Sequence, residues 1–508
     1  MMRRYLTSIC TILAAVAMAA ATASAEKTVS VNDPAVPGVF DQPSVAVSGS
    51  VAHVAYIGAD NTAGPFRVFY AAVNGGADFT NLSLSRTTPG FLVTPPTPVD
   101  NTDAGNDAYV DARHPRIAMR SSGEAVILFQ AKPASSTDPT YVLYLARITL
   151  DNNAVVKQSV RLVTGVSGFN EDVSFSLVTA DNTARIAYAG RPGISGDFDV
   201  FYARIALDTA SVSGTPGTPL LLSAIAGSTG ARPLPRLKLD GGNRAHVAWA
   251  ANSDTSAPNG IYYALVKETT GADNVVIAAT QVLGRSRKWG HPNLLVDTNS
   301  SILILAADES LAGTAGSIGM VNINPDADDQ DGSPVQVTNN NNFLITPPGE
   351  AILTGNFSLY RPEAFLDGLR QIHMTGYGSS GTRSVYYAFK ASTSSPFAQF
   401  VVNPVTVGLD SSEFPVSLDG DYTRAAFGFF TSGKTVVFWS GAVAGTGSRN
   451  LDVTSLPTVR AIESDESGCT VVSPPGAGGR GRILDGFLLF LPVAVLGVSR
   501  ALRRGVGK

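Results

Sequence analysis

Ten polar and aromatic residues stand near the starts of recurring segments, where they could meet in one ligand-binding site. They are Arg113, His114, Glu171, Asp172, Arg232, Trp289, His291, Tyr360, Arg361 and Glu413. Such a mixture of cations, carboxylates and aromatic rings is typical of sites that bind a polar ligand. Trp289 could stack on a sugar ring or on an exposed peptide. The alternative is that these residues only line polar loops.

One acidic loop has the alternating oxygen ligands that calcium requires. Its side chains are Asn324, Asp326, Asp328 and Asp331, and hard oxygen ligands suit Ca²⁺. The spacing does not complete an EF-hand, because no glutamate ends the loop and the glycine is misplaced. The sequence therefore allows a structural calcium, with a solvated turn as the alternative, and indicates no other cofactor.

The remaining candidates for chemistry are three histidines at matching positions in the repeats, His53, His246 and His373. Recurrence at one structural position favours a buried, hydrogen-bonded packing role over a metal or catalytic role. Equivalent positions in different repeats lie too far apart for one metal, whose ligands must converge within about 2 Å of it. No nucleophile motif such as Gly-x-Ser-x-Gly occurs. Paired carboxylates for glycoside cleavage stay open, because geometry decides them.

These residues lie in a pattern that recurs seven times, roughly every 60 residues. Six copies begin with a residue followed by proline, and a seventh without proline begins near Asp172. The six pairs are Gln42-Pro43, His114-Pro115, Leu234-Pro235, His291-Pro292, Arg361-Pro362 and Phe414-Pro415. We number the copies repeats 1 to 7 in chain order. Each contains short alternating apolar runs bounded by Gly, Asn and Pro, which predict β-strands.

Seven repeats of about four short antiparallel strands predict an all-β, seven-bladed β-propeller over residues 26–464. Closing the sheets into a ring removes an exposed edge that would otherwise invite aggregation. The isolated run Thr28–Val31 is predicted to join the last blade and close the ring. A low charge content, 15% of residues, fits an extracellular protein, and a net charge of −4 leaves no basic surplus that would attract nucleic acid.

The N terminus has the features of a secretory signal peptide over residues 1–25. Arg3 and Arg4 precede an apolar stretch, and small residues end at Ala25, after which signal peptidase is expected to cleave. An uncleaved signal anchor is the alternative.

The C terminus predicts a membrane segment. Residues 483–499 are nearly all apolar, just long enough to cross a bilayer, and a basic tail follows at 500–508. By the positive-inside rule this tail is cytoplasmic and the body lies outside. The Pro/Gly-rich spacer 465–482 contains Cys469, the only cysteine left after leader removal, which is a candidate for processing or lipid attachment. An incidental thiol is the alternative.

The order Gly468-Cys469, flexible spacer, Leu484-Asp485, apolar helix and arginine cluster resembles the PEP-CTERM-like sorting signals of Gram-negative bacteria, most closely the JDVT-CTERM type. This resemblance covers about the last 40 residues. It implies cleavage by an intramembrane sorting protease, and display at the cell surface or release from it.

The repeat pattern is similar to the broad sialidase-like, BNR-type group of bacterial propellers. The resemblance covers most of the body and implies the propeller fold. It implies no activity, because the Asp-box Ser-x-Asp-x-Gly-x-x-Trp of that group is absent.

Two functions follow from the sequence. The favoured one is an interaction module that binds a glycan or a surface protein through the propeller rim. The alternative is a secreted hydrolase or lyase that acts on polysaccharide at the channel mouth. A structural envelope protein without a small ligand is a third reading.

Overall fold

The computed structural model shows a chain of short β-strands. It describes residues 28–31, 38–59, 65–74, 83–84, 91–92, 109–133, 141–151, 154–162, 175–180, 182–190, 198–207, 218–224, 233–251, 260–269, 272–283, 289–297, 302–308, 318–323, 325, 343–344, 358–366, 370–379, 383–390, 401–404, 425–430, 435–442, 448–456, 460–461 and 472–473. Every regular element among them is a β-strand, as the alternating apolar pattern predicts. Within these ranges there is no helix long and apolar enough to span a membrane.

The strands follow the repeats in chain order. Before and in repeat 1 lie β1 (Thr28–Ser30), β2 (Val39–Ser48), β3 (Val51–Ala59), β4 (Arg67–Asn74), β5 (Ser83–Leu84) and β6 (Phe91–Leu92). Repeat 2 has β7 (Tyr109–Met119), β8 (Ala125–Pro133), β9 (Val142–Asp151) and β10 (Ala154–Leu162). Repeat 3 has β11 (Phe175–Ala180), β12 (Thr183–Gly190), β13 (Asp199–Ala206) and β14 (Leu220–Leu221). Repeat 4 has β15 (Arg236–Leu239), β16 (Ala245–Ala251), β17 (Gly260–Thr269) and β18 (Ala272–Leu283).

The later repeats have the same plan. Repeat 5 has β19 (Trp289–Val296), β20 (Ile302–Asp308), β21 (Ile318–Ile323) and β22 (Phe343–Leu344). Repeat 6 has β23 (Ser358–Leu366), β24 (Ile372–Ser379), β25 (Arg383–Lys390) and β26 (Val401–Pro404). Repeat 7 has β27 (Ala425–Phe429), β28 (Thr435–Ala442) and β29 (Arg449–Leu456), and β30 (Arg460–Ala461) and β31 (Val472–Ser473) come last.

Repeats 2 to 6 each form a separate four-stranded antiparallel sheet, which gives five separate blades. The strands of repeats 1 and 7 belong to one nine-stranded sheet, because a single parallel bridge between Val39 and Arg449 connects β2 with β29. The separate blades therefore number five where the sequence predicts seven.

The blades form a propeller-like ring in which the first strand of each repeat is innermost. These strands contact one another in the order β2, β7, β11, β15, β19, β23 and β27, and β27 contacts β2 again. Among the described residues, apolar clusters fill the spaces between repeats 1 and 2, 2 and 3, 3 and 4, 4 and 5, and 7 and 1. One of them joins Phe40 and Val54 of repeat 1 to Val436 and Phe438 of repeat 7. Successive side chains of a strand point to opposite faces of its sheet, so each blade packs one face against the preceding blade and the other against the next one.

The predicted closing strand is confirmed. β1 pairs antiparallel with β29, with Val29 opposite Val453. The Ser30 hydroxyl donates to Asp452 at 2.7 Å, and the Val31 amide donates to the Leu451 carbonyl at 2.7 Å. The N-terminal segment therefore completes the sheet of the last repeat.

The side chain of Val31 is fully buried in the cluster between repeats 7 and 1. Val31→Ala is expected to lower the free energy of unfolding by about 2 kcal/mol, because it removes buried methyl groups and leaves a cavity. Val276→Ala is the matched control, since Val276 is 45% exposed and its loss should change stability by less than about 0.5 kcal/mol. Equal unfolding midpoints in urea for the two variants would contradict a closing role for this strand.

The chain divides into two units, one of residues Thr22–Leu456 and the other of Met1–Ala21 with Pro457–Lys508. In the latter the structure describes one ladder, which pairs Arg460 with Ser473 and Ala461 with Val472. The predicted signal peptide, with its cleavage position Ala25, lies outside the described residues, as do Cys469, the apolar helix 483–499 and the basic tail.

Candidate functional site

The residue–proline pairs that open the repeats form β-bulges in the innermost strands. Asp41 and Ser44 of β2 are three residues apart, but their partners on β3, Ile57 and Ala55, are only two apart, so β2 contains one extra residue. The strands β7, β19 and β23 have the same extra residue. Proline suits a bulge because it has no amide hydrogen for the ladder. The residue before proline adopts positive φ at Gln42 (54°), His114 (52°), Leu234 (48°) and His291 (46°). Such φ values are uncommon outside glycine and recur here at one structural position.

Two histidines of the predicted rim are buried. His114 and His291 are only 2% and 3% exposed, so their imidazoles are packed inside the ring rather than presented at its mouth. The His114 amide donates to the Gln42 side-chain oxygen at 2.8 Å and so ties repeat 2 to repeat 1. The physical reason is the bulge. One extra residue in the strand reverses which side chains point to each face of the sheet.

Trp289 also differs from the expectation of a surface stacking platform. It is 3% exposed and packs in the apolar cluster between repeats 4 and 5, beside Leu283 and Leu294. Its indole faces are therefore used for packing. Arg113, in contrast, stays partly exposed at the start of β7, with its guanidinium 5.0 Å from the centroid of the Tyr141 ring.

The structure does not place the other predicted residues in this site. Tyr360 and Arg361 lie in β23, but their side chains are not among the described ones. Glu171, Asp172, Arg232 and Glu413 lie outside the described residues, as do the predicted calcium ligands Asn324, Asp326, Asp328 and Asp331. Among the residues that the structure does describe, no group of three or more His, Cys, Asp or Glu could hold a metal ion.

The residue after the proline in repeats 1, 2, 4, 5 and 6, with Ser176 at the equivalent position of repeat 3, defines a row along the inner edge of the ring. In each of repeats 1 to 6, this residue of the innermost strand pairs with the equivalent residue of the second strand. We call these residues the inner row: Ser44, Arg116, Ser176, Arg236, Asn293 and Glu363. Lys238 is two residues beyond Arg236 on β15 and shares its face of the strand.

Residues of the inner row have two roles, which alternate from one repeat to the next: some form hydrogen bonds between blades, and the others carry charge. Polar side chains of repeats 1, 3 and 5 accept a hydrogen bond from the backbone of the next innermost strand. Ser44 accepts from the Ile117 amide at 3.2 Å, Ser176 from the Leu237 amide at 3.1 Å, and Asn293 from the Ala364 amide at 3.0 Å. Repeats 2, 4 and 6 carry ionisable side chains at the same position. The first set joins the blades, and the second set places charge along the inner edge.

The charge of this edge is mainly positive. Arg116, Arg236 and Lys238 lie along this edge, and Glu363, whose charge acts on Lys238, is the one carboxylate of the row. Lys238 is exposed to water although protein surrounds it, as expected for a side chain at the inner edge of a closed ring. Desolvation lowers the pKa of Lys238, the nearby Glu363 carboxylate acts to raise it, and Arg236 acts to lower it further. The site can therefore attract an anion while it offers a carboxylate to hydroxyl donors.

The predicted burial of the three repeated histidines is confirmed, and a hydrogen bond is shown for two of them, His53 and His246. The three lie on β3, β16 and β24, and His53, His246 and His373 are at most 2% exposed. The His53 Nδ1 is hydrogen-bonded to the Tyr70 hydroxyl at 2.7 Å, and His246 Nδ1 to the Tyr263 hydroxyl at the same distance. Each pair connects the second strand of its repeat to the third.

No protein-family model matches this chain, and no curated protein matches it. Similar solved structures have low sequence identity. A protein of unknown function from Dyadobacter fermentans is 13% identical, with a TM-score of 0.44 over 68% of this chain and 94% of its own. An ulvan lyase is 10% identical, with a TM-score of 0.49 over 85% and 96%. A Trypanosoma rangeli sialidase is 9% identical, with a TM-score of 0.39 over 71% and 56%. These neighbours show a likeness of fold.

Proposed function

We propose that this protein is an exported β-propeller that binds acidic glycans along its inner row. One observation carries the proposal: three cations, Arg116, Arg236 and Lys238, lie along this inner edge with one carboxylate of the row, Glu363, on a chain whose net charge is −4. A local excess of cations on an acidic protein attracts anionic ligands to that place and to few others. Glu363 can accept hydrogen bonds from hydroxyl groups, which sugars have in abundance.

The rest of the proposal extends the sequence predictions. We count the joined strands of repeats 1 and 7 as two blades, which gives seven, and the single parallel bridge between them supports this count. The predicted leader would place the propeller outside the cytoplasm, and the C-terminal segment would hold it at the envelope until processing. Mass spectrometry of the mature N terminus tests the export step. A start at Glu26 agrees with it, and a start at Met1 contradicts it.

Lys238→Gln is expected to weaken binding to an acidic polysaccharide by roughly tenfold, since a charge-assisted hydrogen bond contributes about 1.5–3 kcal/mol. The measurement is equilibrium binding of the purified full-length chain to polygalacturonate, with neutral dextran as the comparison polymer. Lys267→Gln is the matched control, because Lys267 belongs to the same repeat, is exposed, and lies on the third strand rather than the innermost one.

Equal affinity of the Lys238 and Lys267 variants for polygalacturonate would remove the inner row from the proposal. Equal affinity of the unmodified protein for polygalacturonate and dextran would contradict acidic recognition altogether.

Polysaccharide cleavage is the second candidate, and elimination suits the site because Arg236 and Lys238 lie two residues apart on one face of β15. In such a step Arg236 neutralises the uronate carboxylate, and Lys238 in its neutral form takes the C5 proton. The electron pair forms the C4–C5 double bond, the C4–O bond breaks, and the leaving glycosidic oxygen takes a proton from water. Hydrolysis would require a pair of carboxyl groups, and the inner row contains only one, that of Glu363. Ultraviolet absorbance of the unsaturated product distinguishes the candidates, and no increase during incubation with polygalacturonate leaves binding alone.

A further inference from the structure

A second group of cations lies on repeat 2, outside the inner row. Arg113 and Lys132 both approach the ring of Tyr141, at 5.0 Å and 4.9 Å from its centroid. The Tyr141 hydroxyl donates to Asp111 Oδ2 at 2.5 Å, and the Arg113 guanidinium is 3.6 Å from the same oxygen. We call Asp111, Arg113, Lys132 and Tyr141 the Tyr141 cluster. Its two cations and one carboxylate leave a positive charge on the start of β7.

The cluster adjoins a buried amide that has no partner. Gln130 is opposite Arg113 on one side and Leu143 on the other, so the three side chains share a face of the sheet. Gln130 is fully buried, and neither its nitrogen nor its oxygen has a hydrogen-bond partner within the described part of the chain. Buried polar groups in native proteins are nearly always paired. A sugar hydroxyl, which both donates and accepts, would satisfy this amide.

The Tyr141 cluster and the inner row are connected by one strand. Arg113 and Arg116 are both in β7 and pair with Gln130 and Leu128 of β8, which are two residues apart, so the two arginines are about 7 Å apart along the sheet. Arg113 belongs to the cluster and Arg116 to the inner row. Two positive sites at this separation can be reached together by an extended polymer, whereas one sugar acid reaches only one of them.

We propose that the Tyr141 cluster is a second subsite for the glycan, so that the ligand is a polymer with repeated acidic sugars rather than a single sugar acid. This inference rests on the function proposed for the inner row. Arg113 and Lys132 bind an acidic group, and movement of Arg113 toward that group uncovers Gln130 for a neighbouring hydroxyl. Linking two such contacts in one ligand raises the affinity well above that of either contact alone.

The test is a length series of oligogalacturonates, from dimer to octamer, titrated calorimetrically into the full-length protein. The unmodified protein should bind the octamer at least about tenfold more tightly than the dimer. Lys132→Gln should lower octamer affinity by about tenfold and leave dimer affinity unchanged. Lys267→Gln, which removes an exposed lysine outside both subsites, should change neither value.

Gln130→Leu distinguishes a ligand-binding role from a purely structural one, because its effects on stability and on octamer affinity should have opposite signs. Removal of a buried amide without partners should raise the midpoint of thermal unfolding, while loss of the hydroxyl contact should lower octamer affinity. An octamer-to-dimer affinity ratio that Lys132→Gln and Gln130→Leu both leave unchanged would overturn the second subsite. The inner row would still stand in that case if Lys238→Gln weakens the dimer, so the two failures are distinguishable.

Discussion

Glu124→Gln is expected to lower the free energy of unfolding by about 4 kcal/mol, because it leaves buried guanidinium groups without their carboxylate. Glu124 forms a short ion pair with Arg120 and accepts hydrogen bonds from Arg147 at 2.8 Å and 3.1 Å. All three side chains are at most 12% exposed. The Arg120 guanidinium also donates to Asn182 of repeat 3 at 2.6 Å, so the loss extends across a blade boundary. Urea unfolding of the variant measures it.

Asp273→Asn is the matched control for this carboxylate. Asp273 pairs with Arg204 at 2.7 Å, but both side chains are more exposed than those around Glu124. This greater exposure weakens the pair relative to those of Glu124, so its loss should be smaller, about 2 kcal/mol or less. If Glu124→Gln proves no more destabilising than Asp273→Asn, the buried pair does not stabilise the ring as we infer.

The second large effect expected is a loss of stability in acid that originates at His53. Burial lowers the pKa of His53 from 6.5 to about 4, since the charged imidazole is poorly solvated between repeats 1 and 2. The unfolded chain therefore binds the proton more readily than the folded one. This stabilisation is fully present above pH 6.5 and is lost as the pH falls toward 4. A shift of this size corresponds to roughly 3 kcal/mol.

The measurement is thermal unfolding at pH 7 and pH 4 for the unmodified protein and for His53→Asn, which does not titrate. The difference between the two pH values should shrink in the variant. Tyr70→Phe removes the hydroxyl that is hydrogen-bonded to His53 and keeps the buried imidazole. Since burial is the cause of the pKa shift, Tyr70→Phe should retain the acid sensitivity. An unchanged pH dependence in His53→Asn would contradict this account.

Strand positions and the closing strand were predictable because they depend on local patterns. Alternation of apolar and polar residues decides which runs can be half-buried strands, and turn residues decide where they end. The run at Thr28–Ser30 had no partner within its own repeat, which left the last sheet as its place. The histidines were predictable for a related reason, since recurrence at one position indicates packing.

The projecting side chains of the innermost strands were not predictable from the alternation alone. A bulge adds one residue, and every side chain beyond it changes face. His114 and His291 were therefore expected at the rim and are buried, whereas Arg116 and Glu363 were overlooked. A signal for them did exist in the sequence. The residue after proline is polar or charged in repeats 1, 2, 4, 5 and 6, at Ser44, Arg116, Arg236, Asn293 and Glu363.

Trp289 illustrates a second difficulty for sequence-based prediction. Its neighbours in sequence are basic residues, which suggested an exposed ring beside a charged loop. Burial is decided by the adjacent blade, where Leu283 of repeat 4 supplies apolar contact. Contacts between repeats are long-range in sequence, so one repeat alone cannot reveal them.

The central claim is that an acidic glycan binds along the inner row, and an experimental structure of the full-length protein with bound oligogalacturonate tests it most directly. The account predicts a uronate carboxylate within hydrogen-bond distance of Arg236 or Lys238, with a sugar hydroxyl near Glu363. An oligosaccharide bound only on the outer strands, with the inner row occupied by water, would contradict it.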